Sequence, residues 1–431
     1  METRRKKIFH DIKDMFGGTP LLEHLVLNDQ IFVNATDKND PEMRAIKKAI
    51  IDLAKKQPTW GEKVPKCFIP LELEFSNLVK KNIDLITMED MQKINQEQPI
   101  RPLTDPELKV FLKFQHAIGK IIYFDEDKLG SHIILSPTHL IDAFKSIVTD
   151  KMHCAGDRKR EEVWDVMSRR GVISKQAIDE IWKKRKYSKF NKNKEYLLGV
   201  MSHLDILTEP NRYDSSQNRI PADFYYIASM VRTQDTTLYL QSPRFSHRNI
   251  ALAFHLGNFA IPPALAFRFI SYCLSIWGVK TYGDQNEEML FHRSAVFTID
   301  SSLDMRVDSE DKCIVVRLVH ARDGKLIIRD LASSMHECLE VALQKISQLY
   351  LKTSSQEVEL SDGNFSVTVA CGSALDPCFL SIDELNHIAS TWLCPSHGIE
   401  HGKHMLTSWF STKVRSILIF SEPANQCNQF S

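Results

Sequence analysis

The chain has 431 residues, and its 55 Lys and Arg balance 55 Asp and Glu to a formal net charge of zero. That balance removes any global electrostatic pull toward nucleic acid or an anionic membrane surface. With 43% hydrophobic and 26% charged residues, the composition excludes wholesale disorder and predicts a globular chain with room for two or three domains.

Nine cysteines, scattered and odd in number, predict free or metal-bound thiols in a reducing, cytoplasmic setting. The basic start METRRKKIFHDI has no apolar h-region behind it and does not read as a secretory signal. Residues 21–33 pass from helical spacing into the β-prone QIFV. Asp40, Pro41 and Glu42 then predict a helix start, and Met43, Ile46, Ile50 and Leu53 share one face of that helix. Strand, polar loop and capped helix commonly end a nucleotide-binding α/β domain. The loop contains DKND (37–40), one residue away from the guanine-reading [NT]KxD motif. GTP chemistry also needs a GxxxxGK[ST] phosphate loop, which this sequence lacks. Kinase and hydrolase signatures are missing too, so no catalytic residue is assigned and DKND reads as a helix cap within a polar loop.

Residues 57–66 form a Pro/Gly-punctuated connector and a predicted boundary. IPLELEFSNLV begins a helix, and Thr87 with Asp90 predicts a capped helix start. Residues 107–148 read as helix, turn, strand IIYF, acidic loop, strand HIILS, turn and helix, the pattern of a winged-helix module. Helices over 161–207 followed by FYYIASMV predict a second, related unit. Between them, residues 183–194 carry seven basic residues in twelve, with Tyr187 and Phe190 interleaved. On a recognition helix this stretch would bind nucleic acid or anionic lipid; otherwise it is a solvated helix end or a partner-facing surface.

From residue 236 the texture becomes β. TLYLQ, IALAFHL, AVFTID, LDMRVD, CIVVRLVHA and KLIIRDL predict short strands, and PALAFRFISYCLSIW and SSMHECLEVALQKISQLYL predict helices. The fold class is therefore α+β with an antiparallel sheet. The apolar stretch 251–279 is broken by Asn258, Pro262, Pro263 and Arg268, so it predicts a buried strand and helix rather than a membrane span. Beyond residue 353 come FSVTVAC, a short helix and SILIF. Here Cys371, Cys378, Cys394 and His397 stand in a C-x6-C-x15-C-x2-H spacing. Pro395 forces a turn that lets Cys394 and His397 face one ion, so structural zinc is the candidate ligand, with His401 or His404 as alternatives to His397. The other reading is buried thiols beside a surface HGIEHGKH segment.

The middle of the chain resembles the COR domain, the module that follows the Roc GTPase in ROCO proteins. The match runs from Pro65 to Glu72, from Phe111 to Leu140 and from Leu256 to Arg268, with His139 where the family usually carries an aromatic residue. The resemblance implies four segments: a C-terminal piece of Roc at 1–56, a winged-helix-like COR-A at 57–232, an antiparallel COR-B at 236–352, and a C-terminal extension at 353–431. Asn34, Ala35 and Thr36 then correspond to a base-contact loop of Roc, and GTP would bind only where an intact Roc is supplied upstream. The implied function is non-catalytic: dimerisation and coupling to the nucleotide state of Roc within a cytoplasmic signalling protein. The partner is a second copy, a Roc-COR protein or another signalling protein, met through COR-B at Phe259, Pro262, Pro263, Phe267 and Trp277. The alternatives are a fragment of a longer Roc-COR GTPase or ROCO protein kinase, and a winged-helix nucleic-acid-binding protein.

Overall fold

A computed structural model describes residues 2–17, 25–27, 30–57, 60–61, 63–213, 219–237, 249–256, 260–284, 287–320, 327–351, 365–373 and 377–410. The chain divides into two bodies, residues 1–74 with 95–103 and residues 75–94 with 104–431. The first contains α1 (Glu2–Phe16) and α2 (Glu42–Ala54). The expected strand at QIFV is irregular, because no described segment offers it a hydrogen-bonding edge. The Asp40 carboxylate accepts the Glu42 N–H at 2.8 Å and the Asn34 N–H at 2.9 Å, which starts α2 and closes the loop before it. Asn95 clamps the 95–103 loop, donating to the Leu103 carbonyl and accepting its N–H, both at 2.8 Å.

Helices α3 (Phe68–Lys80) and α4 (Met88–Glu97) flank the short β1 (Leu85–Thr87). There follow α5 (Asp105–Ala117), β2 (His132–Ile134), α6 (Pro137–Ile147), α7 (Arg158–Arg170), β3 (Val172–Ser174), α8 (Lys175–Trp182), α9 (Lys194–His203), β4 (Arg212–Tyr213), β5 (Arg219–Ile220) and β6 (Phe224–Tyr226). The hairpin expected from IIYF and HIILS forms differently. β2 pairs antiparallel with β1, and IIYF supplies a single bridge from Ile122 to Ile134. The sequence hid β1 because Thr87 both ends the strand and opens the next helix. Its hydroxyl accepts the Asp90 N–H, and the Asp90 carboxylate accepts the Thr87 N–H, both at 3.1 Å. The second unit repeats the device. β3 pairs with β6, Thr208 bridges Tyr226, and Ser174 caps α8 by accepting the Ala177 N–H at 3.0 Å.

The core of these helices is built around Trp182, Phe190 and Leu197. The Trp182 indole N–H donates to the Ser146 hydroxyl at 2.7 Å, so its one polar atom is satisfied inside the core. His139 fills the family's aromatic position as a buried ring, edge-on to Phe190 at 5.1 Å and 3.0 Å from the Asp84 carboxylate. Burial pushes its pKa below the ordinary 6.5.

The second half is one large sheet. Its strands are β7 (Asn249–His255), β8 (Gly278–Val279), β11 (Leu290–Phe291), β12 (Ser294–Thr298), β13 (Leu303–Ser309), β14 (Cys313–His320), β15 (Ser366–Ala370) and β16 (Phe379–Ser381), with a side hairpin of β9 (Thr281–Tyr282) and β10 (Glu287–Glu288). The order is β11-β12-β13-β14-β7-β15-β16, with β8 also on β12, and all the pairings are antiparallel. The tail strands β15 and β16 thus extend the same sheet. On one face lie α10 (Pro263–Ile276) and α11 (Arg329–Leu351), packing Leu265, Phe269, Met335 and Leu339 against Leu252, Phe254, Val316 and Leu318. The described part of KLIIRDL is not a strand: residues 327–328 are irregular and Arg329 opens α11. Buried Ala332, Met335, Leu339 and Leu343 impose a helical period on the segment. The expected strands TLYLQ and SILIF lie mainly or wholly outside the described residues. No described helix is long and apolar enough to cross a membrane.

The other face of β13 and β14 carries charge. Asp308 receives Arg306 at 2.7 Å and Arg317 at 2.7 Å, and the Ser294 hydroxyl at 2.8 Å. Arg317 is 1% exposed and its second nitrogen donates to the Ser373 carbonyl at 3.0 Å. Burial alone would push the Asp308 carboxyl up, but the two guanidiniums hold it below the ordinary 3.8.

The helical and sheet halves meet at the end of α7. Gly171 ends that helix in the left-handed region at φ 65°. The Arg232 N–H donates to the Ser168 carbonyl at 2.8 Å, and Arg170 grips Glu288 with bonds of 2.7 and 2.6 Å. A Cβ on Gly171 would sit 2.6 Å from a Val231 methyl and 2.9 Å from a Leu290 methyl.

Two outcomes are expected. Asp308→Ala leaves Arg317 buried without its carboxylate and should lower stability by about 3–5 kcal/mol in urea unfolding at neutral pH. Because the folded pKa is depressed, this contribution is complete above the ordinary 3.8 and disappears as pH falls below it, so wild type and variant should converge in acid. Gly171→Ala should cost about 1–3 kcal/mol through overlap and strain at positive φ.

Candidate metal centre

Two hairpins bring four donors together at one end of the sheet. Cys371 follows β15 and Cys378 precedes β16, so the hairpin between those strands presents both thiols. Its mouth is closed by the Cys371 N–H donating to the Cys378 carbonyl at 2.9 Å. Cys394 follows β17 (Thr391–Leu393), which pairs with β18 (Glu400–Gly402). Between them Pro395, Ser396 and His397 turn tightly. The Gly398 N–H donates to the Cys394 carbonyl at 2.9 Å, and Gly398 takes the left-handed φ of 63° that this turn requires. The turn folds the His397 ring back over the thiol three residues before it.

The ligand atoms of Cys371, Cys378, Cys394 and His397 all lie within 4.8 Å of one another. His397 Nδ1 is 3.7 Å from the Cys371 sulfur, 3.7 Å from that of Cys378 and 3.1 Å from that of Cys394. Cys371 and Cys394 are buried, at 1% and 0% exposure, while Cys378 and His397 are half-buried. Two backbone N–H groups point at sulfur: Cys378 N–H to the Cys371 sulfur at 3.1 Å and Ser396 N–H to the Cys378 sulfur at 3.4 Å. Burial would raise the Cys378 thiol, but hydrogen bonds from Ser396, Cys394 and His397 bring it down to about 7. Cys394 is pushed up to about 12, first by burial and then by the neighbouring thiols.

The loop that carries Cys371 is held from the sheet. Asn249 donates to the Gly372 carbonyl at 3.0 Å, and Arg317 to that of Ser373 at 3.0 Å. Sequence spacing gave no sign of these two supports, since an Asn and an Arg inside β-prone runs carry no pairing information.

The remaining sequence candidates lie apart from this cluster. His401 is on β18 with its ring against Trp392 at 5.6 Å, and His404 is in the short helix Lys403–Leu406, with its ring beside Gly402. The strand at 400–402 replaces the helical turn that would have put His397 and His401 on one face. In the N-terminal body, the Asn34 side chain accepts the Thr36 N–H at 3.1 Å and its hydroxyl at 2.7 Å, and Asp37 accepts the Asn39 N–H at 2.9 Å. The polar groups of this loop are engaged in closing the loop on itself, with Ala35 at its exposed tip. Pro262 and Pro263 lead into α10, where Phe267 is half-buried beside His292 at 6.0 Å and Trp277 lies near Phe297 at 6.5 Å. Phe259 lies outside the described residues. Leu265, Phe269, Ile270 and Leu274 of that helix are buried in the core.

The basic stretch 183–194 forms a turn and a 3-10 helix rather than a recognition helix. Phe190 is buried, Tyr187 accepts a hydrogen bond from Arg160 at 2.9 Å, and Lys184 and Lys194 are paired with Asp157 and Asp179. The aromatics interleaved with cations are thus core anchors.

A family model described as "C-terminal of Roc, COR-A domain" matches residues 65–223. Cyclic GMP-binding protein C of Dictyostelium discoideum is 23% identical over 163 residues, which cover 37% of this chain and 6% of that protein. The chain therefore spans a small fraction of this curated relative. Among solved structures, Methanosarcina barkeri Roco2 RocCORdC bound to GDP shares 14% identity at a TM-score of 0.29, over 44% of this chain and 51% of that one. The family match thus identifies a COR-A domain at residues 65–223, the stretch that contains the motifs at Pro65–Glu72 and Phe111–Leu140.

Proposed function

We propose that the chain is a non-catalytic coupling and self-association module of a cytoplasmic ROCO-type signalling protein, passing the nucleotide state of a Roc GTPase to a dimer contact. The observation that carries this reading is the joint at the end of α7. A displacement of the COR-A helices acts there on a backbone pair, a two-pronged Arg170–Glu288 ion pair and a glycine with no room for a side chain. Further ties run from Arg268 to the Leu204 carbonyl at 3.1 Å and from Asn211 to the Ser275 carbonyl. These connect α9 and the following loop to α10, the helix that carries Phe267 and ends just before Trp277. Packed elements joined this closely move as bodies rather than deform, which suits transmission of a rotation.

The contact surface we assign is the exposed side of α10 and its entry turn, with Pro263 and Ile276 exposed and Pro262, Phe267 and Trp277 half-buried. Light scattering should show concentration-dependent dimers at tens of micromolar, the order of magnitude of a weak contact, and Phe267→Glu should shift the chain toward monomer with its circular dichroism unchanged. A strict monomer throughout that range would overturn the self-association reading. The chain should also show no saturable heat on calorimetric titration with GTP and Mg²⁺, because the sequence supplies no phosphate-binding loop. Micromolar or tighter binding would remove the basis for a non-catalytic role.

A further inference from the structure

We propose that Cys371, Cys378, Cys394 and His397 bind one structural Zn²⁺ ion, which fixes the C-terminal segment 377–410 to the edge of the sheet. This site is independent of the coupling role. Three thiols and an imidazole form a closed four-donor set, the chemistry of structural zinc. Bond lengths of about 2.3 Å for sulfur and 2.0–2.1 Å for nitrogen place tetrahedral donors about 3.6–3.8 Å apart. The His397 nitrogen lies at 3.7 Å from two of the sulfurs, and no pair of donors is separated by more than 4.8 Å. Binding therefore asks for small adjustments within two existing turns.

Other metals fit less well. Ca²⁺ and Mg²⁺ require oxygen donors, and an iron–sulfur cluster held by one histidine and three cysteines departs from the usual thiolate sets. Among the described residues, this is the only such group of potential metal ligands. A fourth protein donor leaves no open position for substrate, so the ion is structural rather than catalytic. The N–H groups of Cys378 and Ser396 aimed at sulfur are already placed to stabilise bound thiolates.

The segment gains from such a fastening. Apart from Trp409, which is buried in the main core, its apolar contacts are few: Leu380, Leu385 and Leu406 close on Val369 of β15, with Ile388, Trp392 and Phe410 packed around them. A core this small contributes little by burial, and small units of this kind commonly depend on a metal or a disulfide. One ion bound at these four residues joins the β15–β16 hairpin to the β17–β18 hairpin at a single point.

The test uses the whole chain purified with a non-chelating reductant. Elemental analysis should give one zinc per chain, falling at least tenfold in Cys394→Ser and staying at one in His401→Ala and His404→Ala. Because the serine variant can fail to fold, wild-type chain is also stripped and titrated with Co²⁺. It should develop the intense visible bands of a tetrahedral ion and a near-ultraviolet charge-transfer band of three-thiolate intensity. Removing zinc should raise hydrogen exchange in 377–410 while β12–β14 stay protected. Wild-type chain with neither zinc nor a cobalt–thiolate spectrum would overturn the proposal. So would full zinc content in folded Cys394→Ser, or a native disulfide among the three cysteines.

Discussion

Much of this architecture follows from the demand that β7 be paired on both edges. Six of its seven residues are buried, and its backbone N–H and C=O groups alternate toward both sides. An apolar strand left open on one edge exposes unpaired polar backbone and invites aggregation. β14 satisfies one edge and β15 the other, in register from Ala251 opposite Ala370 to His255 opposite Ser366. That pairing draws the tail into the sheet and fixes where β15 ends. The position of Cys371 is a consequence, since it is the first residue past the ladder, and the hairpin back to β16 delivers Cys378 beside it.

The same register sorts apolar from charged residues. On the β14 face that meets α10 and α11, Val316 and Leu318 build a dry core. On the opposite face Arg317 stands across from Arg306, a like-charge pair tolerable only because Asp308 receives both. A buried ion cluster of this kind contributes less to net stability than an apolar replacement of equal volume would, but removing one member is costly. Its value here is positional. Arg317 reaches from the sheet interior to the Ser373 carbonyl, and Asn249 to that of Gly372, so the loop beside Cys371 is set by the sheet itself. The proposed metal centre thus rests on a rigid support, the arrangement in which first ligands need least reorganisation.

Elsewhere in the fold, the helical half meets the sheet half at residues 168–171 and 231–233. Backbone hydrogen bonds there carry no sequence specificity, but Gly171 and the Arg170–Glu288 pair do. This gives the COR-A helices a close-packed contact with the sheet half. The winged-helix resemblance need not imply nucleic-acid binding for a separate reason: the basic stretch after α8 turns Phe190 into the core and several of its lysines toward neighbouring carboxylates.

Local signals were legible in the sequence alone. The helix starts at Asp40 and Thr87 and the strands β7, β12, β13 and β14 follow from capping chemistry and β-prone runs, which act over a few residues. The COR resemblance was legible because its motifs combine short-range patterns in a fixed order. The spacing of Cys371, Cys378, Cys394 and His397 also singled out the four residues whose donor atoms the fold gathers, since each half-site is set by a local turn. Tertiary structure alone decided the rest. Short β1 could be recognised only from its partner β2, because three β-prone residues before a cap have no stability without a ladder. The partners of Asp308 and Glu288, the seat of β15 against β7, and the exclusion of His401 and His404 from the cluster depend on contacts across dozens of residues. Such contacts are fixed by register and burial, and a chain read in order carries no mark of which distant edge or charge will meet it.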